Sequence, residues 1–149
     1  MKHFTRKAIL LAMTFAVIVA TQSSLAAPPL PNPILIFAGP EYAVVGGKEV
    51  TRYTFDVFNK DAYPADFFAA SPNLPPCGTN TKAARTWVDI YDQTGKKLNS
   101  FCALSKPADL SKIWFGLERD KIPPSWVYIE LNDRQTNTKY KSNLAETVE

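Results

Sequence analysis

The chain has 149 residues, of which 46% are hydrophobic, and it carries a formal net charge of +3. This length and apolar content suit a single globular domain with its own hydrophobic core. Two cysteines and one histidine supply three soft ligands at most, and a structural zinc site needs four. We therefore predict no metal site and one ordinary domain.

The first 26 residues have the three parts of a secretory signal peptide. The basic segment 1–7 precedes a 13-residue run at 8–20 that is apolar except for Thr14, and Ser24-Leu25-Ala26 supplies the small residues that signal peptidase recognises. A helix that spans a bilayer needs about 20 apolar residues. The pattern thus predicts cleavage after Ala26 and no stable membrane insertion.

Cleavage would change the charge and the chemistry of the chain. The formal charge falls from +3 to 0 because Lys2, Arg6 and Lys7 are removed, and His3, the single histidine, is lost with them. A neutral chain gives no electrostatic reason to expect a nucleic-acid partner. Hydrolases whose nucleophile is activated by imidazole are excluded as well. We predict an exported protein, periplasmic or extracellular, that is not an enzyme and has no catalytic residues and no cofactor.

The cysteines Cys77 and Cys102 are predicted to form a disulfide. Pairing is the default in an oxidising compartment, and a closed loop of this size, 26 residues, is worth about 3–4 kcal/mol in the chain-entropy description. A redox pair would favour a Cys-x-x-Cys spacing. A metal site would need further soft ligands, so a structural bridge is the preferred interpretation.

The segment 27–33 is rich in proline and predicts an extended leader before a domain at 34–149. A short strand at 34–37 is expected to end at Gly39-Pro40. Whether 42–45 continues this strand is open, and Gly46-Gly47 predicts a turn after it.

The segment 49–59 has the clearest strand pattern in the chain. Its alternation places Tyr53, Phe55 and Val57 toward the core. The following stretch, 62–84, contains four prolines and no clean period. A loop of this length is commonly functional or held in place. We predict that Cys77 fixes it and that its Phe67-Phe68 pair enters a core edge or a small helical turn.

The rest of the chain continues in strands separated by turn signals. Val88 and Ile90 share one face of the next strand, and Val127, Ile129 and Leu131 share one face of a later one. The predicted strands of this part are 85–92, 97–104, 110–117, 126–132 and 138–144. Seven strands in about 115 residues indicate an all-β, antiparallel two-sheet sandwich with one disulfide.

The strand motifs resemble those of a fibronectin type III or immunoglobulin-like module over residues 34–145. The resemblance is carried by Tyr-x-Phe-x-Val at 53–57, Trp-x-Asp-x-Tyr at 87–91 with its hairpin, Val-Tyr-Ile-Glu-Leu at 127–131 and the closing Tyr-Lys-Ser-Asn at 140–143. The cysteines do not flank a core tryptophan as in antibody domains. The fibronectin-like form, with a separate loop disulfide, is therefore the closer match.

Four aromatic residues are the main functional signal. Trp87 and Tyr91 point away from the apolar side of one strand, and Trp126 and Tyr128 do the same on another. If the two strands are neighbours, the four rings form an outer patch of the kind that binds partners. Two alternatives stay open: the rings form cross-strand pairs, or the 62–84 loop covers them.

Several carboxylates are candidates for catalysis or metal binding. Asp89, Asp92, Glu130 and Asp133 lie on strands that can be neighbours, as a glycosidase pair would require, but a solvated outer face is the expected explanation. A calcium site at Asn59-x-Asp61 or Asp133 is the other alternative, and turn formation accounts for the same residues more simply.

The leading functional prediction is a secreted, non-enzymatic binding module or envelope or matrix component. A protein partner is favoured over a sugar, because a sugar site usually has carboxylates and amides beside the rings. The 62–84 loop and the 133–137 turn are further contact candidates. The alternative is a small secreted inhibitor of an envelope hydrolase or protease that presents the rigid segment 74–78.

Overall fold

The computed structural model describes residues 29–77 and 83–147. The predicted signal peptide at 1–26, its cleavage site and the start of the predicted leader lie outside these ranges. The described strands are β1 (Leu35–Val45), β2 (Lys48–Val57), β3 (Thr86–Asp92), β4 (Lys97–Phe101), β5 (Ile113–Glu118), β6 (Trp126–Asp133), β7 (Thr138–Lys141) and β8 (Ala145–Glu146). Three short 3-10 helices cover Lys60–Ala62, Ala65–Phe68 and Pro107–Lys112.

The strands form two antiparallel sheets. The smaller sheet has the order β1-β2-β5, and the larger has the order β4-β3-β6-β7, with the two-residue strand β8 also paired to β6. This confirms the all-β, two-sheet sandwich, in which β8 is an addition to the seven predicted strands. Within the described ranges, the helices are too short to cross a membrane.

The core lies between the inner faces of the sheets. Tyr53, Phe55 and Val57 are at most 8% exposed, which confirms the predicted face of β2. Phe115 of β5 stacks on Tyr53 at 5.1 Å and on Phe55 at 5.9 Å between ring centroids. Full burial of such a side chain contributes roughly 2–3 kcal/mol. Val88 and Ile90 of β3 complete this layer from the opposite sheet.

Strand β1 continues past Gly39-Pro40 and includes 42–45, the continuation that the sequence pattern leaves open. It continues to Val45 through a register shift between Phe37 and Gly39, where Gly39 takes a φ of +125°. This conformation suits glycine, which has no Cβ to clash. The strand also lies at a sheet edge, where a proline is tolerated because its missing N–H need not join the ladder.

The predicted strand at 110–117 begins later than expected, at Ile113. Its first residues belong to the 3-10 helix Pro107–Lys112, in which Leu110 is fully buried. The Asp109 carboxylate accepts hydrogen bonds from the backbone N–H groups of Ser105 at 2.8 Å and Lys106 at 3.2 Å. This local capping, together with Pro107, favours a helical turn over a strand.

The described part of the loop at 62–84 is held in place, as predicted. The Cys77–Cys102 disulfide is present, with its Cα atoms 6.0 Å apart. The Arg85 N–H donates to the Ala69 carbonyl at 2.8 Å, so the backbone also joins residue 69 of the loop to the residue that follows the loop. Phe67 and Phe68 form part of a 3-10 helix, are almost wholly buried and pack edge to face at 5.2 Å.

Candidate binding face

The outer face of the larger sheet carries the four predicted aromatic residues. Strands β3 and β6 are neighbours, with Tyr91 directly opposite Tyr128, and their apolar residues face the core. The alternate residues therefore point outward. We call this surface the outer face; its residues are Lys97 and Ser100 from β4, Trp87, Asp89 and Tyr91 from β3, Trp126, Tyr128, Glu130 and Asn132 from β6, Lys139 and Lys141 from β7, and Glu146 from β8.

A ladder of cations and rings crosses four strands of the outer face. The rings of Tyr91 and Tyr128 stack with centroids 5.3 Å apart and planes inclined by 18°. The Lys97 ammonium lies 5.6 Å from the Tyr91 centroid, and that of Lys141 lies 3.9 Å from the Tyr128 centroid. Such cation–π contacts favour the negative face of the ring. Tyr128 is thus contacted from both neighbouring strands, and the tyrosines form a cross-strand pair.

Trp87 and Trp126 lie near opposite ends of this face and have different surroundings. The guanidinium carbon of Arg134 lies 3.9 Å from the Trp87 centroid, and Arg134 Nη1 donates to the Pro75 carbonyl at 2.9 Å. The indole N–H of Trp87 donates to the Ala84 carbonyl at 3.1 Å. Trp87 is therefore partly covered and tied to the loop, whereas Trp126 is 41% exposed.

Two carboxylates of the outer face, Asp89 and Glu130, are less exposed than the lysines beside them. Asp89 is directly opposite Glu130 in the sheet register. It accepts hydrogen bonds from Ser100 Oγ at 2.6 Å and Asn132 Nδ2 at 2.9 Å, and the Lys97 ammonium lies 3.0 Å from it. Asp89 is only 7% exposed. The expectation of a solvated carboxylate is wrong here, because neighbouring donors replace water.

Charge pairing raises the pKa of two lysines on this face. Burial opposes the charge of Lys97, but the hydrogen bond and the charge of Asp89 outweigh it and raise the pKa of Lys97. The hydrogen bond to Glu130, 3.2 Å away, raises the pKa of Lys139. Burial, followed by the Asp89 charge, raises the pKa of Tyr91. At neutral pH both lysines are therefore charged and Tyr91 is neutral.

The other two predicted carboxylates lie elsewhere. Asp92 forms the β3–β4 turn, where it accepts from the backbone N–H groups of Thr94 at 2.8 Å and Lys96 at 3.0 Å. Asp133 belongs to the inward-facing set of β6 and is 2% exposed, paired with Arg85. The four carboxylates therefore do not form one cluster. The expected solvated position is also wrong for Asp133.

The residues considered for calcium have structural contacts. Asn59 Oδ1 accepts from the Ile34 N–H at 2.8 Å, and its Nδ2 donates to the Asn32 carbonyl at 2.9 Å. The side chain thus ties the start of the domain to the end of β2. In the part of the chain that the structure describes, no three His, Cys, Asp or Glu residues are grouped as a metal site requires.

The cations of the outer face are not evident from the net charge. The charge expected after cleavage is zero, and a net charge does not show how the charges are distributed. The alternation Lys139-Tyr140-Lys141 is the signal that predicts two lysines on one face of β7. No sequence signal places Arg134 over Trp87, because that contact depends on the fold of the turn.

Compared with protein-family models, curated proteins and solved structures, the chain matches none. The assignment of the fold therefore rests on the two antiparallel sheets described above. The resemblance to fibronectin type III or immunoglobulin-like modules remains a prediction.

Proposed function

We propose that the chain is an exported, non-enzymatic β-sandwich of the fibronectin type III or immunoglobulin-like kind that binds a protein partner through the outer face. The observation that supports it best is the preorganised set of side chains on that face, held by stacking and by the Asp89 network. Tyrosine, tryptophan and arginine are the residues most enriched at binding hot spots. Side chains ordered in advance lose less entropy when they bind.

Export is supported by two observations. The sequence at 1–26 has the pattern of a signal peptide, and the Cys77–Cys102 bridge is compatible with an oxidising compartment. We propose the periplasm or the extracellular space as the location.

Two carboxylates of the outer face are engaged in ion pairs, and this favours binding over catalysis. Asp89 and Glu130 each hold a lysine ammonium, and loss of the signal peptide would remove the single histidine. General acid–base catalysis would require a group able to exchange protons near the working pH. The paired charges of this face suit a fixed electrostatic surface instead.

The proposal is tested by crosslinking in the native compartment, followed by mass spectrometry of captured proteins. We expect Trp126→Ala to reduce capture at least tenfold, because it removes the most exposed ring of the face. Phe58→Ala is the matched control: this ring is 69% exposed but follows β2 of the other sheet, and its loss should leave capture unchanged. Equal capture by wild type and Trp126→Ala would refute the proposed face.

A second candidate function, inhibition of an envelope hydrolase or protease, is supported by the fixed proline-rich segment. Pro75 and Pro76 are exposed, the Pro75 carbonyl is held by Arg134, and Cys77 is bridged. Inhibition assays against such enzymes test it. Loss of inhibition in Arg134→Ala would support the segment as the inhibitory element, and absence of inhibition by wild type would refute it.

A further inference from the structure

The charges of the outer face point to an acidic partner. We infer that this face binds an extended acidic segment of a protein, an inference that rests on the proposed function. Asp89 and Glu130 have side chains only 10% and 17% exposed, whereas those of their partners Lys97 and Lys139 are 50% and 62% exposed. These two negative charges are therefore recessed, and the lysines paired with them project toward a partner.

Two further cations lack an acidic neighbour. Among the described residues, neither Lys141 nor Arg134 has a carboxylate within 4.0 Å. Both lie against rings instead, at 3.9 Å from Tyr128 and Trp87. Together with Arg134 at its edge, the outer face thus has four cations against three carboxylates, Asp89, Glu130 and the exposed Glu146 beside Trp126. The positive excess lies on the Lys97–Tyr91–Tyr128–Lys141 ladder and beside Trp87. Complementary charge steers association and selects the partner.

The spacing of the cations fits an extended peptide that lies across the strands. Lys97 on β4 and Lys141 on β7 are separated by three strand spacings, which is about 14 Å at about 4.8 Å each. Side chains on one side of an extended peptide recur about every 6.8 Å. Acidic residues at positions i and i+4 of the partner therefore reach both lysines, and position i+2 lies over the tyrosine pair.

A polypeptide fits this surface better than a sugar or a nucleic acid. A sugar stacks on the open face of a ring, but Tyr128 is contacted on both sides and Trp87 is covered by Arg134. A nucleic acid gains its affinity from many neutralised phosphates, and this face has two cations without an acidic neighbour. Acidic side chains on a peptide need neither a free ring face nor a high charge density.

The test measures binding of labelled peptides to the mature chain by fluorescence anisotropy at low and high salt. The probes are an eight-residue peptide of alternating Asp and Thr, the same peptide with Asn for Asp, and polygalacturonate as a carboxylated glycan. We expect the Asp peptide to bind at least tenfold more tightly than the Asn peptide and to weaken with salt, because salt screens exposed charges. Equal binding of the two peptides, no binding of either, or a preference for polygalacturonate would overturn the inference.

Variants of Lys141 locate the site. Lys141→Gln should weaken binding of the Asp peptide five- to tenfold, and Lys141→Arg, which keeps the charge and the contact with Tyr128, should stay within threefold of wild type. Lys121→Gln, at an exposed lysine outside the outer face, is the matched control and should stay within twofold. Unfolding curves for each variant show whether it retains the fold. Equal loss in Lys121→Gln, or none in Lys141→Gln, would contradict the inference.

Crosslinked capture of the native partner distinguishes a failure of this inference from a failure of the proposed function. If Trp126→Ala reduces crosslinked capture but Lys141→Gln and added salt do not, the outer face binds a partner that is not acidic, and only the inference fails. If Trp126→Ala has no effect, the proposed function fails.

Discussion

Replacement of Asp133 by asparagine removes a buried charge while keeping the size of the side chain. In the native chain Arg85 donates two hydrogen bonds to this carboxylate, from Nε at 2.8 Å and from Nη2 at 2.5 Å. The pair joins the beginning of β3 to the end of β6. Asp133→Asn leaves the guanidinium with only the exposed Asp66 carboxylate, 4.0 Å away, as a counter-charge.

The expected loss follows from the burial of the pair. Removal of one partner from a buried ion pair costs about 3–5 kcal/mol. The side chain of Arg85 is 22% exposed and that of Asp133 is 2% exposed, so the arginine keeps some hydration and the loss should be near the lower limit, about 3 kcal/mol. Asp120→Asn, at an exposed turn residue, is the control and should change the free energy of unfolding by less than about 0.5 kcal/mol.

The pH dependence provides a second test of the same pair. Burial opposes ionisation of Asp133, but the hydrogen bonds from Arg85 and Thr136 outweigh it and place its folded-state pKa below the ordinary value of 3.8. A depressed carboxyl pKa contributes stability that is complete above the unfolded-state pKa and is lost as the pH falls through the folded-state value. The gap between wild type and Asp133→Asn should therefore be constant above about pH 5 and shrink below pH 3.8.

Urea unfolding with the disulfide intact, measured from pH 7 to pH 2, gives both quantities. A loss below 0.5 kcal/mol at pH 7 would show that the pair adds little to stability. A gap that stays constant down to pH 2 would show that the carboxylate is not preferentially ionised in the folded chain.

Three further perturbations test the disulfide, the core and the chain entry. Replacing Cys77 and Cys102 by alanine should lower the free energy of unfolding by about 3 kcal/mol; reductant should then no longer shift the urea midpoint, and a shift that persists would contradict the bridge. Phe55→Ala should cost about 4 kcal/mol by leaving a core cavity, whereas Phe58→Ala, three residues later but exposed, should cost less than about 0.5 kcal/mol; similar values in urea unfolding would contradict the assigned faces of β2. Asn143→Ala removes two side-chain hydrogen bonds to the backbone of β1 and should cost about 1–2 kcal/mol, with faster amide exchange at the start of β1; unchanged exchange would show that the contact is not formed.

The strand pattern of the sequence was sufficient to predict the all-β, two-sheet fold class. The alternation around Tyr53, Phe55 and Val57 predicts the buried face of β2 because a strand with one face in the core must alternate. The pattern left open whether β1 continues past Gly39, and the predicted start of β5 at Leu110 was wrong. A bulge lets a strand pass a glycine, and the capping contacts of Asp109 favour a helical turn inside an otherwise strand-like segment.

The candidate site was only partly accessible from the sequence. Outward alternation predicted where Trp87, Tyr91, Trp126 and Tyr128 would lie, because it needs only strand periodicity. What contacts each ring depends on register and on neighbouring strands, which one sequence does not specify. The Lys141 contact with Tyr128 joins two strands through a register that is known only once the sheet is folded.

Residue-level crosslinking to the captured partner shows directly whether the outer face is the binding surface. We expect crosslinks to concentrate on the lysines of this face, Lys97, Lys139 and Lys141, and Trp126→Ala to remove them. Crosslinks concentrated instead on Lys48 and Lys121, which are exposed away from this face, and retained in Trp126→Ala, would contradict this expectation.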